Sequence, residues 1–362
     1  VIIGVMVEHR DGHITPTLDA TLTAARQLAR LVARRSGSVA LPAIHLVLAG
    51  PWEHPGEQLH DTVAQLARAP VVQGVAGIHV LPVPEGSMGA SPPALATQLH
   101  RLWVTPESGW PLFSHLLAPA TLEGRTLLSC LAGCFARAGQ VIPLVTQVVS
   151  LLDADCFRCS SHAGNVWTTM KVTARDAAPV LLAIRPTAFA PPASSALSQP
   201  AVPVPVQVLP ALDEATAGRF GQRIGWVATA PAVGRPELLG ARIVVAGGQG
   251  VVASGSFRIV EQLADALGAA VGATRSAVDA GLAGHDQQIG QTGHGIAPEW
   301  YIALGISGSL QHMAGVKDAR HIVAINHDPG APIHAVADIS WVADLFQAVP
   351  ELIGALRAGS SG

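Results

Sequence analysis

Residues 290–312 read GQTGHGIAPEWYIALGISGSLQH. A short apolar run, YIALGI, stands between two glycine-rich turns, and hydroxyls, amides and histidines gather at both. A turn that only reverses the chain needs one or two such residues, so this density points to a ligand. The apolar run is too short for a helix and predicts a buried strand whose end delivers polar groups to one place. Its neighbours repeat the plan. RIVVA at 242–246 runs into GGQG at 247–250, AAVGA at 269–273 into Thr274 and Arg275, and the strand predicted over 321–326 ends on Asn326. Helical spacing intervenes, with Phe257, Val260, Leu263, Ala264 and Leu267 on one side and a last helix over 344–356. Strands that alternate with helices predict an open parallel sheet, and such sheets bind ligands at the carboxyl ends of their strands.

The first half has the same rhythm. VIIGVMVEH opens the chain as a strand, and Leu18, Leu22, Ala25, Leu28, Ala29 and Val32 keep a helical period after Pro16. AIHLVLAG at 43–50, a helix over 59–69 and GIHVLPV at 77–83 continue it. From residue 191 the composition changes to PPASSALSQPAVPVPVQVLP, which predicts a stiff linker followed by an extended segment. The expected fold is therefore α/β, with two domains that each carry a mostly parallel, Rossmann-like sheet flanked by helices. Residues 1–190 are expected to form an N-terminal α/β domain, 191–221 the linker and extended segment, and 222–362 a ligand-binding α/β domain.

Composition narrows the function. The chain has 362 residues, enough for about two domains. Only 13% are charged and the net charge is -3, with no run of Lys or Arg, so nucleic acid is not an expected partner. No run of 18 apolar residues exists, which argues against a membrane span. The opening residues are too quickly polar for a secretory signal, so the cytoplasm is the expected location. The four cysteines fall as Cys130 and Cys134 in a predicted helix, then Cys156 and Cys159. No further ligand signature surrounds either pair, so no metal site is expected.

The site residues can be read one by one. Gln249 sits in the glycine turn before a predicted helix, which reads either as a mere turn or as a place where backbone N–H groups hold phosphate. Thr274 reads as a phosphate contact or a helix cap, and Arg275 as an anion or ring contact or a surface charge. Gln288, Gln291, Thr292 and Gly293 bring amides and a hydroxyl to a tight turn, suited to the edge of a neutral heterocycle. Ser307, Gly308, Gln311 and His312 form the second turn, whose amides can cradle a pyrophosphate. Asn326 ends a strand, and Asp338 reads as a ribose contact or a turn cap. No GxSxG elbow or HExxH helix is present, so no catalytic side chain is expected. His294 and His312 lack a carboxylate to orient them, and Glu299 beside Trp300 reads as an acid with a raised pKa or as a surface group. The set suits an extended dinucleotide with a planar head that carries its own chemistry.

At these residues the sequence resembles the alpha subunit of electron transfer flavoprotein, including bacterial members associated with nitrogen fixation. The resemblance rests on AGGQG at 246–250, VGATRSAVDAG at 271–281, IGQTGHGIAPEWYIALGISGSLQHMAG at 289–315 and VAINHDPGAPIHAVAD at 323–338. It extends to LLAPATLEGRTLL at 116–128, HAGN at 162–165 and VEHRDG at 7–12. It implies a heterodimer with a smaller beta subunit and one FAD, held mainly by the second domain. A flavin dehydrogenase would be the electron donor, and a quinone oxidoreductase or another redox protein the acceptor. By position, Arg275 would lie beside the isoalloxazine, Thr292 near N5, and His312 near O2, where a protonated ring would assist Arg275. Gln291 would contact the flavin region, Thr274, Ser307 and Gln311 the phosphates and ribityl chain, and Asn326 and Asp338 the adenosine end.

The chain departs from the family pattern in several places. Gln249 and Cys159 stand where arginine is usual, Ser129 and Cys130 where Pro-Arg is common, His162 where tyrosine is common, and His327 where lysine is usual. Thr274 is a mild exchange for serine. Two further readings follow: an FAD-poor scaffolding paralogue, suggested by Gln249 and the altered first domain, and a self-contained nucleotide-dependent enzyme, suggested by histidines at a glycine-rich sheet edge.

Overall fold

The computed structural model describes residues 1–10, 13–50, 57–83, 91–105, 109–161, 166–173, 179–189, 204–210 and 235–359. The chain divides into two compact units, Val1–Val227 and Ala228–Gly362. Residues 162–165, 191–203 and 211–234 lie outside the described set, and with them the HAGN motif and most of the proline-rich segment.

The first unit is built on a nine-stranded sheet. Its strands in chain order are β1 (Ile2–Val7), β4 (Ala43–Gly50), β5 (Gly77–Pro82), β6 (Phe113–Pro119), β7 (Leu144–Asp153), β8 (Cys156–Ser161), β9 (Val166–Lys171), β10 (Val180–Ile184) and β11 (Val206–Val208), while β2 (His9–Arg10) and β3 (His13–Ile14) form a separate small ladder. The spatial order is β11-β5-β4-β1-β6-β10-β7-β8-β9, parallel from β11 to β7 and antiparallel through β8 and β9. The central strands are apolar on both faces, as a parallel sheet covered by helices requires. Val5, Leu46, Leu48, Ile78 and Leu182 fill one core and Leu81, Leu99, Leu116, Leu131 and Phe135 the other. Helices α1 (Thr17–Ser36), α2 (Glu57–Arg68), α3 (Pro92–Val104) and α4 (Leu122–Arg137) supply the covering layers.

The second unit is smaller and entirely parallel. Strands β12 (Ile243–Gly247), β13 (Ala270–Ala273), β14 (Trp300–Leu304), β15 (His321–Asn326) and β16 (Ile339–Val342) lie in the order β13-β12-β14-β15-β16. The helices are α5 (Gln249–Val252), α6 (Arg258–Leu267), α7 (Arg275–Asp279), α8 (Leu310–Met313), α9 (Ile333–Val336) and α10 (Leu345–Gly359). Val260, Leu263 and Ala264 of α6 pack with Val349 of α10 against Val245 and Leu304 on one face. Val244, Tyr301, Ile289 and Val316 fill the other. Each such side chain contributes about 1.5–3 kcal/mol of burial. The two faces fix the sheet, so the loops at its carboxyl edge keep a defined spacing.

Two turns at that edge come unusually close. Gly305 has φ +61, and a Cβ there would stand 2.8 Å from the Cα of Gly250. The Gly250 N–H donates to the Gly305 carbonyl at 2.9 Å. Glycine at both positions thus lets the turn after β12 touch the turn after β14.

No helix among the described residues is long and apolar enough to cross a membrane. No group of three or more His, Cys, Asp or Glu residues among them is placed to hold a metal, and all four cysteines are free.

Candidate functional site

A cavity of about 240 Å³ opens at the carboxyl edge of the second sheet. Its lining includes eight of the residues expected from sequence: Gln249, Thr274, Arg275, Gln291, Thr292, Ser307, Gln311 and His312. Each comes from a loop or a first helical turn that follows a strand. Gln249 opens α5, Arg275 opens α7 behind Thr274, and Gln311 and His312 lie in α8. The 288–294 loop is tied to that edge by backbone bonds. Ile289 N–H donates to Ala273 O at 2.9 Å, and Gln291 N–H to Gln311 O at 2.8 Å.

The remaining expected residues do other work. Gln288 is buried, and its amide donates to the Thr292 hydroxyl at 2.9 Å, so it holds a lining residue in place. Gly293 and Gly308 are backbone positions: a Cβ at Gly293 would meet the Gln288 carbonyl at 2.2 Å, and Gly308 has φ +84 against Ile333. Asn326 is buried and bonded at both ends of its amide. Its Nδ2 donates to Ile306 O at 2.9 Å, and its Oδ1 accepts from Asp328 N–H at 3.0 Å. Asp338 precedes β16 at the amino end of the sheet, where its carboxylate accepts the Ile322 N–H at 2.7 Å. The structure does not bring Asp338 to the cavity.

Sequence reasoning missed Ser276 and Tyr301, while Ser309 belongs to the Ser307-Gly308-Ser309 turn already read as a pyrophosphate cradle. Ser276 and Ser309 line the cavity. Thr274 is the N-cap of α7, but its hydroxyl pairs with Ser276 Oγ at 2.8 Å instead of capping the helix. Ser309 caps α8 by accepting from His312 N–H. Tyr301 lies beneath the cavity, fully buried in β14, with its hydroxyl 2.7 Å from His312 Nε2. The available signal was that the chain contains one tyrosine, placed inside an apolar strand where a phenol needs a partner.

The structure removes the charged option for His312, whose help to Arg275 depended on a protonated ring. Its Nδ1 lies 3.1 Å from Ile289 O and its Nε2 faces Tyr301. Burial pushes its pKa from 6.5 down to about 4, against a small opposing contribution from the Ile289 carbonyl. The ring is neutral at pH 7. Of the two readings of Glu299, the structure favours the surface group. Its carboxylate pairs with Arg242 at 2.6 Å, which holds the group below the usual carboxylate range instead of raising it.

Among the described residues, Arg275 is the single charged side chain in the lining, exposed at its head and 3.3 Å from Asp279, and no carboxylate lines the cavity. Among the described residues, the backbone N–H groups of Ser307, Gly308, Ser309, Leu310 and Gln311 meet no protein acceptor. Ile289 and Ile306 add apolar wall. A cavity rich in donors, free of acids and partly apolar suits a ligand with a planar ring and anionic groups.

Comparison with known proteins agrees with this chemistry. Residues 237–317 match the electron transfer flavoprotein FAD-binding domain, and residues 3–213 the electron transfer flavoprotein domain. The electron transfer flavoprotein subunit alpha of Pseudomonas aeruginosa is 37% identical over 336 residues, covering 90% of this chain and 99% of the relative. The subunit of Paracoccus denitrificans is 42% identical over 245 residues, 67% of this chain and 73% of the relative. A mitochondrial subunit of Oryza sativa subsp. indica is 41% identical over 245 residues, covering 67% of this chain and 64% of its own length. The chain belongs to the electron transfer flavoprotein alpha-subunit family.

Proposed function

We propose that the cavity of the second unit holds FAD and that the chain carries electrons as one subunit of a heterodimer with an electron transfer flavoprotein beta subunit. The donor is a flavin dehydrogenase, and the acceptor a quinone oxidoreductase or another redox protein. The observation that carries this reading is the lining itself: among the described residues, one guanidinium, no carboxylate, and a run of backbone N–H groups with no protein acceptor beside Ser307, Ser309 and Gln311. When bound, FAD supplies the redox chemistry, which explains a site without a nucleophile or an acid–base pair.

The chain's own residues then have separate tasks. Ser307, Gln311, Thr274 and Ser276 offer donors to the phosphates and the sugar-alcohol chain. Gln291 and Thr292 offer hydrogen bonds to the ring edge, with Thr292 held by Gln288. Arg275 supplies positive charge where a reduced ring gains negative charge. Gln249 contributes an amide where the family usually has a guanidinium, so phosphate binding leans more on backbone donors. Asn326 supports the site indirectly by tying the Ile306 carbonyl to β15. Asp338 is left out of this set because of its position at the other end of the sheet.

Co-expression with a beta subunit, followed by cofactor extraction and stepwise reduction, tests the reading. A yellow complex that releases FAD and exchanges electrons with a flavin dehydrogenase is expected. A colourless complex that rejects added FAD would contradict it. A complex that assembles with little or no FAD and stays redox-inactive after forced FAD loading would favour the scaffolding alternative.

A further inference from the structure

We propose that Tyr301 is a positioning residue for the cavity's histidine: with the Ile289 carbonyl, it fixes His312 as the neutral Nδ1–H tautomer and occupies its Nε2. A backbone carbonyl only accepts, so His312 Nδ1, 3.1 Å from Ile289 O, must carry a proton. In a neutral ring Nε2 is then an acceptor, and the Tyr301 hydroxyl at 2.7 Å must donate to it. Tyr301 is fully buried, and its hydroxyl has no other hydrogen-bond partner among the described residues. Protonating Nε2 would reverse that bond and leave the phenol O–H buried without an acceptor. It would also bury an imidazolium in a site that no carboxylate lines.

The charged and titratable groups nearby do not offset this cost. Arg275 lines the same cavity from α7 and repels a second cation; Asp279, its partner at 3.3 Å, is not among the described lining residues. His294, on the loop that carries Ile289, is a further neutral or cationic group and supplies no negative charge. The inference therefore assigns all of the cavity's positive charge to Arg275. His312 becomes an uncharged polar wall whose polarity is set by a residue outside the lining. In a low-dielectric site the phenol dipole polarises the imidazole, making its exposed edge more positive.

This assignment rests on the FAD reading only for its effect on redox potential, so two readouts are needed. Selective 15N labelling of histidine in the chain, without and with FAD, reads the tautomer directly. His312 is expected to stay neutral, Nδ1-protonated and hydrogen-bonded at Nε2 from pH 8 to pH 5.5. A titration inside that window, or an Nε2–H tautomer, would overturn the proposal whether or not FAD binds. Tyr301→Phe removes only the hydroxyl. It should shift the Nε2 resonance to that of an unbonded acceptor while the Nδ1–H persists, and an unmoved Nε2 would overturn the role of Tyr301. At equal FAD content, Tyr301→Phe should also lower the flavin midpoint potential, and an unchanged potential would overturn the coupling to the site. If the chain takes up no FAD at all, the proposed function fails while the wild-type nitrogen spectrum still decides the tautomer.

Discussion

Arg275 carries the charge argument at the scale of a residue. Its guanidinium is 70% exposed and shares one hydrogen bond with Asp279, so its effect is screened by solvent as well as by its partner. Arg275→Ala in the FAD-loaded protein should lower the first reduction potential by tens of millivolts, since about 59 mV corresponds to a tenfold change for one electron. Arg275→Lys should restore part of it, because an ammonium keeps the charge without the planar fork. Spectroelectrochemical titration of the three proteins is the check, and equal potentials would place Arg275 outside the flavin's field. The residue was legible in the sequence because it follows a strand end in a chain poor in cations. His312 was legible as a site residue, but its charge state was not. The groups that set it, Ile289 O and the Tyr301 hydroxyl, come from different elements, and only folding brings them to the ring.

Between elements, the contact of two glycine turns is the feature most exposed to test. Gly305→Ala places a Cβ at φ +61 and within 2.9 Å of Leu345 and 2.8 Å of Gly250. Gly268 has φ +60 at the end of α6, and nothing lies within 4 Å of a Cβ there. Gly268→Ala should therefore cost about 1 kcal/mol, the backbone penalty alone. Gly305→Ala should cost more, on the order of 2–4 kcal/mol, and should weaken FAD retention as well. Thermal melts and flavin content of the two variants separate the effects, and equal losses would contradict the close contact. Element prediction succeeded where apolar runs ended in clear turns. The segment 43–50 is β4, and 321–326 is β15. It missed β8, whose CFRCSS alternates Phe157 and Cys159 inward but reads first as a cysteine spacing. It also missed β16, which is exposed throughout and gives no alternating pattern.

For the molecule as a whole, both units carry a buried histidine held neutral. His312 lines the cavity of the second unit, while His79 of the first unit stacks on His45 with 2.9 Å between ring nitrogens. Burial, helped by His45, pushes His79 to about 4, the same value as His312. Both folded values lie below the unfolded 6.5, so the unfolded chain takes up protons first as pH falls. Stability is complete above about pH 6.5 and is lost as pH falls towards 4, with each histidine contributing up to about 1.4 kcal/mol per pH unit. Urea unfolding at pH 7 and pH 5 should show both units weaker at pH 5, a range above most carboxylate titration. Equal or greater stability at pH 5 would contradict the burial of these rings. The two-unit plan was legible from the repeated strand–helix rhythm, while the proline-rich change at residue 191 did not mark the division, which falls between Val227 and Ala228. The antiparallel extension of the first sheet was not, because β7, β8 and β9 carry mixed polarity with little burial contrast.

The central claim is that FAD occupies the cavity lined by residues 249–312. Thr292 is exposed at its wall, so Thr292→Trp can fill the space without disturbing either core. Equilibrium binding of FAD, followed by quenching of flavin fluorescence, should be measured for wild type and this variant in complex with a beta subunit. The account predicts one FAD per complex for wild type and at least a tenfold loss of affinity, about 1.4 kcal/mol, for a Thr292→Trp protein with an unchanged circular dichroism spectrum. Undiminished FAD binding by the folded variant would place the cofactor elsewhere and contradict the account.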